Sequence, residues 1–156
     1  MFHIRIIATG KLKEQYWRDA EQEYIKRLSP YAKIEIIELK EESFKNIHDK
    51  KQTQLKEAAK IKKYLNTSDI VIALTERGKK MNSPQFATWL EKKTAATGKL
   101  TLLIGGPLGF HPSVLTQVHA EISLSELTFP HQMVRTILLE QLYRAITIIK
   151  GKQYHY

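Results

Sequence analysis

Two stretches of this 156-residue chain are apolar at nearly every position rather than at every second one: 69-DIVIALT-75 and 99-KLTLLIGG-106. A strand with one face in water alternates apolar and polar side chains, whereas a continuous apolar run needs cover on both faces. These runs therefore call for a parallel sheet with helices above and below it. The flanking pattern agrees. A strand at 3-HIRIIA-8 leads to a helix from about Lys13 to Leu28, with Tyr16, Trp17, Ala20, Tyr24 and Leu28 along its apolar side. Ser29-Pro30 ends that helix, and 33-KIEIIEL-39 is a second strand. A helix around 50–65 carries Leu55, Ala58, Ala59, Ile61 and Leu65 as its stripe. Ser83-Pro84 opens another helix as N-cap and first helical residue. A short helix near Pro112, a short strand around Ile122–Ser125 and a long helix from His131 to Ile149 complete the order. Strand and helix alternating in this way predict a single α/β domain over residues 1–156 with a mostly parallel, five-stranded sheet.

Composition narrows the function classes. Lys and Arg number 25 against 16 Asp and Glu, a formal charge of +9. Such an excess is either a solubility device or the footprint of a polyanionic partner, with nucleic acid foremost. No apolar run approaches the roughly 18 residues that a membrane span needs, and the N-terminal MFHIRIIATGK lacks the pattern of a secretory signal. Cysteine is absent, which removes thiolate chemistry and fits a reducing cytosol. The histidines at 3, 48, 111, 119, 131 and 155 show no metal-binding spacing, so no metal is expected.

Open parallel sheets bind ligands beyond the carboxyl ends of their strands. The segments there are Leu74–Gly78, Gly105–His111 and the stretch around Leu124–His131. A dinucleotide site would put its glycine loop after the first strand, but 8-ATGK-11 holds one glycine. The glycines cluster after the fourth strand instead, at 104-IGGPLGFHP-112. They admit a ligand close to backbone, or else form an ordinary tight connection.

The last helix is the oddest element. Thr136, Glu140, Gln141, Arg144 and Thr147 share one side, while apolar residues fill the other, and Arg135 projects from the middle of the apolar side. So wide an apolar face suggests a subunit interface. A lone buried charge is very costly, so Arg135 is either in an interface salt bridge or receives an anionic group. Arg144 lies four residues after Glu140, the spacing of a helical ion pair. The tail 150-KGKQYHY-156 combines lysines with Tyr154, His155 and Tyr156, as a frayed end or as an RNA-facing segment.

Together, 1-MFHIRIIATGKLKEQYW-17, 22-QEYIKRLSPY-31, 102-LLIGGPLGF-110, 127-LTFPHQMVRTILLEQLYRA-145 and the Tyr154-His155 pair carry a specific resemblance. Over essentially its whole length the chain resembles the small bacterial SPOUT-class methyltransferases that act on N3 of a pseudouridine in large-subunit (23S) ribosomal RNA. The resemblance implies a SPOUT fold with a trefoil knot in the region of about 100–156, an arrangement that pattern arguments would never reach. It implies a cytoplasmic homodimer packed through the knot and working on the ribosome. It implies S-adenosylmethionine as methyl donor, held by Leu74, Gly105, Leu124, Ser125, Glu126, Leu127, Thr128 and Phe129. The catalytic candidates carried over are Tyr154, His155, Arg135 and Arg144: His155 for proton handling or base positioning, and an arginine for the nucleobase anion. The chain departs from the family pattern at Tyr156, where a basic residue is expected; Lys150 and Lys152 offer that charge. A non-catalytic ribosome-binding module on the same fold is the competing reading, and donor binding separates the two.

Overall fold

The structure is a computed structural model, and it describes residues 1–154. The strands are β1 (Phe2–Thr9), β2 (Ala32–Leu39), β3 (Ile70–Lys80), β4 (Lys99–Ile104) and β5 (Ala120–Ser123). The helices are α1 (Gln15–Leu28), α2 (Lys50–Lys62), α3 (Ser83–Thr94), α4 (Pro112–Leu115) and α5 (His131–Ile149), with a 3-10 turn at Ile47–Asp49. The strands form one sheet in the order β2-β1-β4-β3-β5. Every neighbouring pair is parallel, so the mostly parallel sheet expected from the sequence is wholly parallel.

The doubly apolar runs do what their composition requires. From β4, Leu100, Leu102 and Ile104 join a core with α1, α3 and α5, while Leu103 faces the layer made by α2 and α4. In β3, Ile72 faces the first layer and Val71 and Ala73 the second. Asn82, not Ser83, caps α3: its side chain accepts the Gln85 N–H, and Gln85 returns a bond to the Asn82 backbone. This reciprocal pair satisfies two of the helix's orphan donors.

Two helical stripes differ from expectation for a common reason. In α2 the residues turned inward are Thr53, Gln54, Glu57, Ala58 and Ile61, and Leu55 is exposed. In α1, Tyr16 lies in solvent while Glu21 and Leu28 are buried. In both, buried polar side chains have partners supplied by distant segments. Hydrophobic periodicity cannot register such partners, because hydrogen bonding offsets the cost of burial only once the fold brings them together.

β3 also runs past its expected end. Both Leu74 and Lys79 stand opposite Ile122 of β5, so residues 75–78 bulge out of the ladder. Gly78 makes the return possible. A Cβ built there would lie 2.3 Å from the Ile122 carbonyl carbon and 2.5 Å from its nitrogen. The Ile122 backbone stands in the ladder opposite both Leu74 and Lys79 and has little room to yield. Gly78→Ala is therefore expected to destabilise the protein by about 3 kcal/mol or more, read as a lower denaturation midpoint in urea.

Candidate active site

The carboxyl ends of β3, β4 and β5 open into a cavity of about 920 Å³. Its walls are the β3 bulge, the glycine loop after β4, the loop between β5 and α5, the first turn of α5, and the start of α2. A volume of this order suits a nucleoside-sized ligand.

The glycine loop is shaped by a few contacts. Gln54 of α2 donates to the Leu108 and Phe110 carbonyl oxygens at 2.7 and 3.3 Å, so a buried amide from another element sets the loop's path. Gly109 sits at φ +74°, the left-handed region that glycine occupies without strain. The Phe110 ring fills the space beside Gly105, 3.2 Å from where a Cβ would lie. Under Gly106 are the carboxylate oxygens of Glu57, each 3.3 Å from the corresponding Cβ position. Glu57 accepts the Glu42 N–H at 3.1 Å. Burial, with Glu41 and Glu42 nearby, pushes its carboxyl above the ordinary value, against the help of that hydrogen bond.

After β5, Ser123 donates to the Ser125 carbonyl oxygen and the Ser125 hydroxyl accepts the Leu127 N–H, each at 2.9 Å. These local bonds hold the turn that forms one wall. Leu74, Gly105, Leu124, Ser125, Leu127, Thr128 and Phe129, seven residues expected at a donor site, all border the cavity. Glu126, the eighth, does not; its carboxylate lies in solvent, 2.6 Å from Lys80 Nζ.

The expected catalytic residues are placed otherwise. Arg135 is 4% exposed and turned to its own chain. Its Nε donates to Glu21 of α1 at 2.8 Å, and a terminal nitrogen reaches Glu38 of β2 at 2.5 Å. The partner-subunit contact and the anion-receiving position expected of it are both replaced by this internal ion group. One guanidinium serves two carboxylates there, and desolvation of Glu21 outweighs the pull of Arg135, so the Glu21 carboxyl is held above its ordinary value.

Arg144 lies far along α5, with its Nε 2.9 Å from Glu140. Its guanidinium stands over the Tyr154 ring at 4.8 Å, and Tyr143 meets that ring edge-on, also at 4.8 Å. Lys152 donates to the Tyr31 hydroxyl. The tail through Tyr154 is thus folded against α5. His155 and Tyr156 lie outside the described residues. At about 1.5 Å per residue, roughly 20 Å of helix separates Arg144 from His131 at the cavity.

Glu76, Arg77 and His131, whose Nε2 is 3.8 Å from Glu41, lie in the segments expected at the ligand end of the sheet, though no role was read for them; Lys50 and Gln54 of α2 are cavity residues that sequence reasoning missed. Lys50 and Gln54 gave little signal, because both are polar residues outside the stripe of Leu55, Ala58, Ala59, Ile61 and Leu65 read for that helix. Among the described residues no group of three His, Cys, Asp or Glu is placed to hold a metal. No helix among them is long and apolar enough to cross a membrane.

A family model described as "Predicted SPOUT methyltransferase" matches residues 2–155. The chain belongs to the SPOUT methyltransferase family. Within it, the chain is 42% identical over 156 residues to the ribosomal RNA large subunit methyltransferase H of Carboxydothermus hydrogenoformans, covering 97% of this chain and 98% of that one. The fold is similar to that of a probable methylase family protein from Haemophilus influenzae, with a TM-score of 0.50 and 14% identity over 95% of this chain. That alignment spans 66% of the neighbour's length, and at this identity it speaks for the SPOUT fold alone. The cavity of this family member lies where open parallel sheets place their ligands.

Two outcomes test the electrostatics. Arg135→Met leaves the Glu21 and Glu38 carboxylates without their cation and is expected to lower stability by about 3–5 kcal/mol, measured by chemical unfolding. Glu57 has a folded-state pKa above the ordinary 4.5. It therefore adds stability that is complete below that value and is lost as pH rises through the folded pKa. In Glu57→Gln that component is gone, so unfolding free energy measured between about pH 4 and 7 should fall less steeply than in the unaltered protein.

Proposed function

We propose that this protein transfers a methyl group from S-adenosylmethionine to N3 of a pseudouridine in 23S ribosomal RNA, acting on the assembled ribosome in the cytoplasm. The observation that carries the reading is the near full-length match to a relative named for methylation of large-subunit ribosomal RNA, on a chain of net charge +9.

The residues present fit such a donor. The cavity has apolar walls from Leu74, Leu124, Phe129 and Val134 that would pack a nucleoside, and Gly105 and Gly106 line it with backbone that no side chain of their own covers. Leu74, Gly105, Leu124, Ser125, Leu127, Thr128 and Phe129 would hold it there; Glu126, facing solvent beside Lys80, would act through its backbone or not at all. When bound, the donor supplies a sulfonium-activated methyl carbon, so the chain has only to align N3 with it and help N3 lose its proton.

Proton handling falls to the tail. We assign base positioning to Tyr154 and His155, with Arg144 for the charge that develops on the base. The enclosure of Arg135 by Glu21 and Glu38 gives it the task of holding α5 in place. The roughly 20 Å of helix between Arg144 and the cavity favours a homodimer in which the tail of one subunit serves its partner's cavity. Met133 and Ile137 support an interface on α5, since both remain half-buried and outside the two core clusters. Threading of the segment from about residue 100 into a knot belongs to the same proposal.

Deletion of Tyr154–Tyr156 is expected to abolish methyl transfer to ribosomes lacking the modification while donor affinity by calorimetry stays nearly intact. Full activity of the shortened protein would overturn the assignment of the tail. Failure of the intact protein to bind S-adenosylmethionine would leave a ribosome-binding module in place of an enzyme.

A further inference from the structure

Arg77 has an unusual position for a charged residue. It lies in the segment 75–78 that leaves the ladder where Leu74 and Lys79 both stand opposite Ile122. Both ends of that segment are held: the Thr75 hydroxyl donates to Glu121 at 2.8 Å, and Gly78 packs on the Ile122 backbone. The residue is exposed and borders the cavity, and its guanidinium has no hydrogen bond or ion pair among the described residues.

The other arginines are engaged. Arg5 pairs with Glu35, Arg27 with Glu23 and Arg144 with Glu140, and Arg18 donates to the Leu12 and Lys13 carbonyl oxygens. Arg135 is enclosed by Glu21 and Glu38. A firmly held bulge that presents one uncommitted guanidinium to a ligand cavity is suited to receive an anion. Lys50, exposed and also without a partner among the described residues, borders the same opening from α2. Leu127 and Ile47, 74% and 63% exposed, add apolar surface at the opening. Cations beside exposed apolar side chains match a single RNA strand, whose phosphates need charge and whose unstacked bases need apolar contact.

We propose that Arg77 and Lys50 bind the RNA phosphates flanking the target nucleotide and so seat its base in the cavity, with Leu127 and Ile47 packing against the unstacked strand. The inference rests on the methyl-transfer reading for the identity of the RNA, and on the geometry alone for the contact. Arg77 here is a substrate-binding residue whose effect falls on RNA affinity.

The test compares Arg77→Gln, Arg77→Lys and Lys50→Gln with Lys51→Gln, an exposed lysine next to Lys50 that does not border the cavity. Methyl transfer to ribosomes lacking the modification gives KM and kcat, calorimetry gives S-adenosylmethionine affinity, and filter retention gives ribosome binding. Arg77→Gln should raise KM and weaken ribosome binding about tenfold, the scale of one charge-assisted hydrogen bond, with kcat and donor affinity unchanged. Arg77→Lys should lose less, and Lys50→Gln should weaken binding several-fold. The log–log salt slope of ribosome binding should become shallower by about one for each cation removed. KM and ribosome binding no different from those of Lys51→Gln would overturn the proposal. A matching loss of donor affinity would also overturn it, by moving Arg77 to the donor's carboxylate. If the unaltered protein does not methylate, the methyl-transfer reading fails, and filter retention still decides whether Arg77 contacts RNA.

Discussion

The buried ion group of Arg135 with Glu21 and Glu38 ties together the elements on which the site depends. It links α5 to α1 and to the edge strand β2 through one side chain that is almost wholly removed from water. A charge in that position needs partners of opposite sign with good geometry, because desolvation of an unpaired guanidinium would exceed most of what a small domain has in reserve. The arrangement fixes how α5 lies on the sheet. One end of that helix forms a wall of the cavity at His131 and Val134, and the other bears the Arg144–Tyr154 cluster. The cavity and the Arg144–Tyr154 cluster thus lie at opposite ends of one helix that this contact holds from its first turns.

A second constraint acts on the other side of the cavity. Between Leu74 and the close approach of Gly78 to Ile122 the chain leaves the ladder, and Thr75, Glu76 and Arg77 of that segment border the opening. Bulges commonly re-aim side chains next to functional sites, and this one presents an uncommitted cation there. The glycine loop opposite is held from the other layer by Gln54 and rests on Glu57. Polar contacts across the sheet's end thus set the paths of the loops, while the walls draw on apolar side chains of the core, among them Leu74, Ile104, Leu124 and Val134.

Much of this architecture was legible. The doubly apolar runs at 69–75 and 99–106 implied buried parallel strands, and the order of elements followed from periodicity and from breakers such as Ser29-Pro30. Seven of the eight residues expected to hold a methyl donor border one cavity, since their segments follow the carboxyl ends of neighbouring strands. Side-chain partners were not legible: Glu126 turns to Lys80, and Arg135, on the apolar side as periodicity has it, turns to Glu21. The buried faces of α1 and α2 were misread where Glu21, Gln54 and Glu57 are covered, since a polar residue is buried only when a distant partner makes that tolerable.

By itself, then, the sequence determined the fold class, the order of strands and helices, the end of the sheet where a ligand would lie, and the SPOUT methyltransferase resemblance. All of these follow from local patterning and short motifs, which neighbouring residues encode among themselves. Only the tertiary structure decided that Arg135 is an internal strut, that Arg144 and Tyr154 lie about 20 Å of helix from the cavity, and that Arg77 at its mouth has no side-chain partner among the described residues. Those outcomes depend on pairings between residues as far apart as Glu21 and Arg135. Such pairings arise from the summed packing of the sheet and its two helical layers, and no window of sequence contains them.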